Sequence, residues 1–125
     1  PQFEWAGGGF ITSPRDLAKL VRAIVNGAVV SQASASQMMK GVAAKTGPGH
    51  EYGLGLQIRP TDLGKSYGHS GWYPGYVTDV HHFPDHNITV AFQMNTDNFG
   101  ALKMNYQTVC VELAKAAIGE ISDDV

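Results

Sequence analysis

The sequence predicts an α+β fold, an antiparallel sheet with helices packed on it. Three observations lead there. Apolar residues recur at helical spacing near the start, at Leu17, Leu20, Val21, Ile24 and Val25. From Tyr52 to Asn95 the apolar period changes to two, the spacing of strands. The link Pro84-Asp85-His86-Asn87 is a turn short enough to join only antiparallel neighbours.

The elements follow in order. Ser13 suits the N-cap of the first helix, Pro14 its first position and Asp16 its first turn, and Gly27 is a natural stop. A shorter helix is expected from about Gln32 to Lys40, with Ser31 as cap and Gly41 after it. Residues 41–51 read as a loop. Tyr52, Leu54, Leu56 and Ile58 alternate with small or polar residues as a strand. Pro60 to Gly64 can turn the chain, and Lys65 to Ser70 can return as its partner. Tyr76 to Phe83 is the next strand and Ile88 to Asn95 the most apolar one, giving a meander of about four. Asn95 to Asn98 offer caps for a last helix striped by Leu102, Tyr106, Val109, Cys110, Leu113 and Ala117. Gly119 is expected to end it, with a fraying acidic tail beyond.

Residues 1–125 make one domain, enough chain for a single core. With 43% hydrophobic and 16% charged residues the chain is globular rather than disordered. A net charge of −2 without any Lys/Arg run argues against nucleic acid and anionic membrane as partners. No apolar run reaches the roughly 18–20 residues that cross a bilayer. A chain that opens at Pro1 reads as a processed or excised piece. The one cysteine, Cys110, lies on an apolar helical stripe and reads as a buried, inert thiol. No metal is expected, because His81 and His82 point to opposite faces of one strand and cannot converge with His86, Asp79 and Asp85. Nor is any cofactor: Gly7-Gly8-Gly9 lacks the Gly-Lys-Ser/Thr that a phosphate loop requires.

The segment richest in chemistry is Tyr67-Gly68-His69-Ser70-Gly71-Trp72-Tyr73-Pro74-Gly75-Tyr76. It combines an imidazole, a hydroxyl and bare backbone amides beside a strand edge, groups suited to a carbonyl oxygen or a carboxylate. Taken alone, His69 would be a structural strand histidine and Ser70 an ordinary strand hydroxyl. Trp72 and Tyr73 are candidates for a substrate-side wall, and Tyr76 for the core. Gly68-x-Ser70 begins like a nucleophile elbow, but Trp72 stands where the last glycine belongs.

In order and spacing, several pieces together resemble the C-terminal part of the serine β-lactamase and D-alanyl-D-alanine peptidase superfamily, in its class C-like branch. They are Ala6-Gly7-Gly8-Gly9-Phe10-Ile11-Thr12-Ser13 leading into Asp16-Leu17, then Tyr52-Gly53-Leu54-Gly55. Next come Gly68-His69-Ser70-Gly71 with Pro74-Gly75-Tyr76, and finally Asn95-Thr96. The resemblance implies that His69-Ser70-Gly71 is the family's third motif, a His variant of Lys-Thr-Gly. The literal Lys45-Thr46-Gly47 is a decoy in a Pro/Gly loop. By the same resemblance the Trp72 amide is an oxyanion donor, the Ser70 hydroxyl contacts a substrate carboxylate, Gly71 keeps the strand bare, and His69 tunes the proton network.

The family's Ser-x-x-Lys and Tyr-x-Asn motifs are not found in the sequence, so the nucleophile is expected outside this chain. The expected role is therefore the C-terminal portion of a serine hydrolase acting on a β-lactam, D-alanyl peptide, amide or ester, inactive alone. Its partners would be a small-molecule acyl substrate and a second copy or a companion N-terminal portion. The resemblance favours the periplasm, the cell envelope or secretion. Two alternatives stay open: a non-catalytic binding or assembly domain on the same scaffold, and an unrelated hydrolase using Ser70.

Overall fold

The structure, a computed structural model, describes residues 7–101 and 103–123. Helices α1 (Pro14–Val25) and α2 (Gln32–Met38) come first. Strands β1 (Val42–Ala43), β2 (Glu51–Tyr52), β3 (Gln57–Thr61), β4 (Gly64–Tyr73), β5 (Tyr76–Phe83) and β6 (Ile88–Met94) follow, and α3 (Tyr106–Asp123) closes the chain. The strands form one six-stranded antiparallel meander in chain order. Consecutive strands joined by short turns pair with each other, so no crossover is needed.

α1 starts where its local chemistry says it should. Ser13 Oγ accepts the Asp16 amide at 3.2 Å, and Pro14 occupies the first turn. α2 repeats the device, with Ser31 Oγ accepting the Ser34 amide at 3.1 Å. α1 packs its Val21 and Val25 on Val80 of β5, with Leu17, Met39, Tyr67 and Ala91 around them. α3 packs Cys110 and Ala114 on Phe83, with Leu63, Val90, Phe92 and Val111 around them. Since Val80 and Phe83 lie on opposite faces of β5, the two helices sandwich the sheet. β5 is therefore covered on both sides, and from Val77 to Phe83 all but Thr78 are buried.

Several sequence expectations change once the chain is paired. The expected strand from Tyr52 to Ile58 is interrupted: β2 stops at Tyr52 and β3 starts at Gln57. Between them the Gly53 amide bonds Leu56 O at 2.8 Å and the Leu54 amide bonds Met38 O at 3.1 Å, so the segment docks on α2 instead of extending. A Cβ at Gly53 would stand 1.9 Å from Met38 O, and the glycine that mimicked strand alternation is there for that approach. Pro60 lies in β3, not in a turn, opposite Lys65. It is tolerated there because β2 pairs only as far as Ile58, leaving the far side of Pro60 without a partner strand. The loop at 41–51 yields β1 and the first residue of β2, and with the expected Tyr52–Ile58 strand split into β2 and β3 the count rises from about four strands to six.

α3 begins at Tyr106, where the Asn105 side chain accepts the Gln107 amide at 2.9 Å. The polar run from Asn95 spends its hydrogen bonds on local turns instead, such as Thr96 Oγ1 with the Asn98 amide at 3.2 Å. Gly119 does not end α3, which continues to Asp123. The face against the sheet is Cys110, Val111 and Ala114, while Leu113 is exposed, as is Leu20 on α1. Tyr76 is not core: it sits 58% exposed at the mouth of the β4–β5 hairpin. Cys110 is buried as expected, and desolvation pushes its thiol up to about 12. Leu102, Ala6 and the last two residues lie outside the described residues.

Candidate functional site

The site begins with strand parity. β4 turns into β5 through Pro74-Gly75, with Tyr73 opposite Tyr76, and Gly75 at φ +84 supplies the turn. β3 turns into β4 with Thr61 opposite Gly64. A two-residue loop closes on a pair that exchanges hydrogen bonds, and such pairs alternate along the ladder. Odd-numbered residues of β4 therefore turn their peptide groups toward β5, and even-numbered ones toward β3. β3 reaches only as far as Gly68, opposite Gln57. Beyond it, the peptide groups of Ser70 and Trp72 face a side where no strand pairs among the described residues, with the Ser70 carbonyl met by the His69 ring.

The glycines of this stretch have different causes. At Gly68 a Cβ would lie 1.8 Å from Val80 O, so the side chain is excluded by the neighbouring strand. At Gly71 the nearest obstacle is Thr78 Cβ at 3.9 Å. Gly71 is sterically optional, and its effect is a bare strip of strand between His69 and Tyr73.

His69 is exposed and held at both ring nitrogens. Nδ1 contacts Ser70 O, which can only accept, so Nδ1 carries the proton. Nε2 meets Tyr52 Oη at 2.8 Å, and the two rings lie edge-on with centroids 5.8 Å apart. Tyr52, which the sequence places on a strand and in the Tyr52-Gly53-Leu54-Gly55 piece with no role in the site, is the group that holds the imidazole. Ser70 is half-buried opposite Asp79, with its Oγ 3.0 Å from Gln57 Nε2. Trp72, 61% exposed, and Tyr73, 38% exposed, flank the open strip with Tyr76. The structure thus brings His69, Ser70, Gly71, Trp72 and Tyr73 onto one free strand end. Lys45-Thr46-Gly47 lies apart, in a turn between β1 and β2.

Beneath Ser70 lies a polar network that sequence reading did not assemble. Arg59 Nη1 and Nη2 grip Asp79 Oδ2 and Oδ1 at 2.9 and 3.1 Å. Arg59 Nη2 also bonds Gln57 Oε1. Both members of the ion pair are buried. Burial raises the Asp79 carboxyl above its ordinary range, and Arg59 pulls against that. His81 Nδ1 meets Ser66 Oγ at 3.1 Å, and burial drives the imidazole well below its ordinary range. His82 lies on the other face and bonds Thr89 Oγ1 at 2.8 Å, so the two neighbouring histidines do not converge. The signal for the network was present in Gln57 and Arg59, alternating polar residues one hairpin away from Ser70. Only the register tells which residue each one meets.

Chemically, the edge offers outward amides, a hydroxyl and a fixed imidazole, and no candidate nucleophile–base pair: the Ser70 Oγ contacts Gln57, not a histidine. No helix among the described residues is long and apolar enough to cross a membrane.

Comparison with known proteins agrees with this architecture. Among solved structures, a D-stereospecific amidohydrolase from a Streptomyces species is similar at 27% identity with a TM-score of 0.59. The match covers 66% of this chain and 25% of that one. The D-amino acid amidase from Ochrobactrum anthropi, solved with D-phenylalanine, matches at 22% identity and TM-score 0.61, over 72% of this chain and 32% of that one. SurE with D-Leu matches at 24% identity and TM-score 0.70, over 89% of this chain and 27% of that one. The chain spans about a quarter to a third of the length of these structures. A model of the β-lactamase family matches residues 1–111, nearly the whole described fold. With its meander, its bare strand edge and that match, the chain belongs to the β-lactamase family.

Proposed function

We propose that this chain forms one wall of an acyl-transfer site in a serine hydrolase that acts on an amide, ester, β-lactam or D-alanyl peptide. The observation that carries the reading is the open half of β4, where the Trp72 and Ser70 peptide groups face outward beside an exposed His69. An outward N–H of Trp72 serves as an oxyanion donor, because a preorganised amide stabilises charge that develops on a carbonyl oxygen. The Ser70 hydroxyl receives a carboxylate or carbonyl, the bare Gly71 lets the substrate backbone lie close, and Tyr73 and Trp72 border it. His69, held by Tyr52, helps hold the substrate and adjusts the proton network. The attacking hydroxyl and its lysine come from residues outside this chain. The D-amino acid amidase among the similar structures makes a D-amino acid derivative the first substrate class to test.

Two measurements on the chain test this. Incubation with a fluorophosphonate or penicillin probe is expected to leave its mass unchanged; an adduct on Ser70 would falsify the assignment of roles. Titration with D-phenylalanine, followed by amide NMR, is expected to shift Ser70, Gly71 and Trp72 reversibly, and resonances that stay fixed at millimolar ligand count against the reading.

A role in assembly is the second reading, favoured by β6. It ends the sheet with seven uncharged residues and no proline, Ile88–Met94, an edge of the kind proteins usually protect. Its proposed partner is a strand from a companion segment or a second copy. Light scattering at high concentration is expected to show a species larger than the monomer, and a strict monomer rejects pairing between copies.

A further inference from the structure

We propose that Gln57 is a positioning residue that fixes Ser70 as a hydrogen-bond donor toward the open edge, with Arg59 and Asp79 fixing Gln57 in turn. The inference deepens the proposed function and rests on its reading of Ser70 as a substrate contact.

Gln57 and Arg59 are two apart on β3, so their side chains share a face. Asp79 holds the guanidinium through two hydrogen bonds, both in the interior. A guanidinium has donors only, so Arg59 Nη2 can engage only the oxygen of the Gln57 amide. That settles the rotation of the amide: Oε1 faces Arg59, and Nε2 is turned to Ser70 Oγ at 3.0 Å. Nε2 likewise only donates, so Ser70 Oγ accepts, and its own proton is left to point elsewhere. The opposite arrangement, with Ser70 Oγ donating to Gln57 Oε1, is longer at 3.3 Å and competes for an oxygen that Arg59 already uses. The polarity therefore runs one way. Arg59 donates to both Asp79 and Gln57, Gln57 donates to Ser70, and Ser70 donates to an acceptor on the ligand. A lone serine hydroxyl rotates to suit its surroundings; this one is set in advance for a carbonyl or carboxylate oxygen.

Reversing the polarity tests the proposal. In Gln57→Glu the side chain still accepts from Arg59 but can no longer donate, so the Ser70 proton is drawn inward. D-phenylalanine binding, read by amide shifts, is expected to weaken about tenfold, as for loss of one charge-assisted hydrogen bond. Ser70→Ala is expected to cost a similar factor, and the double variant no more than either single one. A spectroscopic readout needs no ligand: Ser70→Ala in the otherwise unaltered chain should move one of the two Gln57 Nε2 proton resonances. If Gln57→Glu does not fold, Gln57→Leu replaces it, with a smaller loss because the hydroxyl is freed and not reversed. Multiplicative losses in the double variant, or Gln57 protons unmoved by Ser70→Ala, overturn the positioning role. If the unaltered chain fails to bind D-phenylalanine, the proposed function fails, and the Gln57 resonances still decide the positioning.

Discussion

Replacing Asp79 with alanine is expected to cost the fold about 3–5 kcal/mol, the usual loss when one member of a buried ion pair is removed. Asp79 is fully buried, and its partner Arg59 is 5% exposed. Removing the carboxylate leaves a guanidinium in the interior with two of its hydrogen bonds gone. Arg59 already has one deficit, since its Nε is buried without a hydrogen-bond partner among the described residues. The surviving bond to Gln57 cannot offset a stranded charge. A domain of this size is stable by only about 5–15 kcal/mol, so the variant sits near or below the folding threshold. Urea denaturation of the two proteins checks the value, and a loss under about 1 kcal/mol would show that the pair contributes little. A control separates charge from packing. Arg59→Met with Asp79→Leu should recover most of the loss, because the double change removes both charges together.

Acid is expected to destabilise the chain, beginning just below neutrality. His81 is the main cause. It is buried at 1% exposure, and desolvation lowers its pKa well below the ordinary 6.5. The folded protein therefore binds fewer protons than the unfolded chain once pH falls below about 6.5. The stability from this residue is fully present above that pH and is lost as pH falls toward the folded-state value, at ~1.4 kcal/mol per pH unit for one proton. His50 and His82 are shifted the same way, also by burial, and add to the slope.

The groups facing His81 do not reverse this sign. Asp79 Oδ1 lies 3.7 Å from His81 Nε2, but that carboxylate is already held by Arg59, whose positive charge opposes a second cation nearby. The raised pKa of Asp79 works in the opposite sense, favouring the folded state as pH falls toward the carboxylate range, below the window of the histidines. Thermal unfolding at pH 7, 6 and 5 should show the loss. His81→Gln should flatten the slope by about one proton's worth, ~1.4 kcal/mol per pH unit. An unchanged slope would assign the acid sensitivity to other groups.

The elements that were legible in the sequence are those whose causes are local. Ser13, Pro14 and Asp16 announce α1 within four residues, and the cap forms as expected. β5 spans Tyr76–Phe83 as its alternation indicates, and the Pro84-to-Asn87 turn links it to β6. The His69-Ser70-Gly71 stretch was visible because its residue types and spacing are confined to a few positions. What misled was equally local. Gly53 and Gly55 imitated strand alternation where the chain in fact docks on α2, and Asn95 to Asn98 looked like caps for a helix that starts about ten residues later.

The sequence by itself determined the helix starts, the order of strands and the chemical character of the stretch from Tyr67 to Tyr76, since each depends on neighbours a few bonds away. Only the tertiary structure decided that β3 stops short of Ser70, that Tyr52 holds His69, and that Gln57, Arg59 and Asp79 gather beneath the hydroxyl. Those contacts join residues 13 to 20 positions apart. They are set by strand register and by which face is buried, and a one-residue slip would send every one of these side chains to the other side of the sheet.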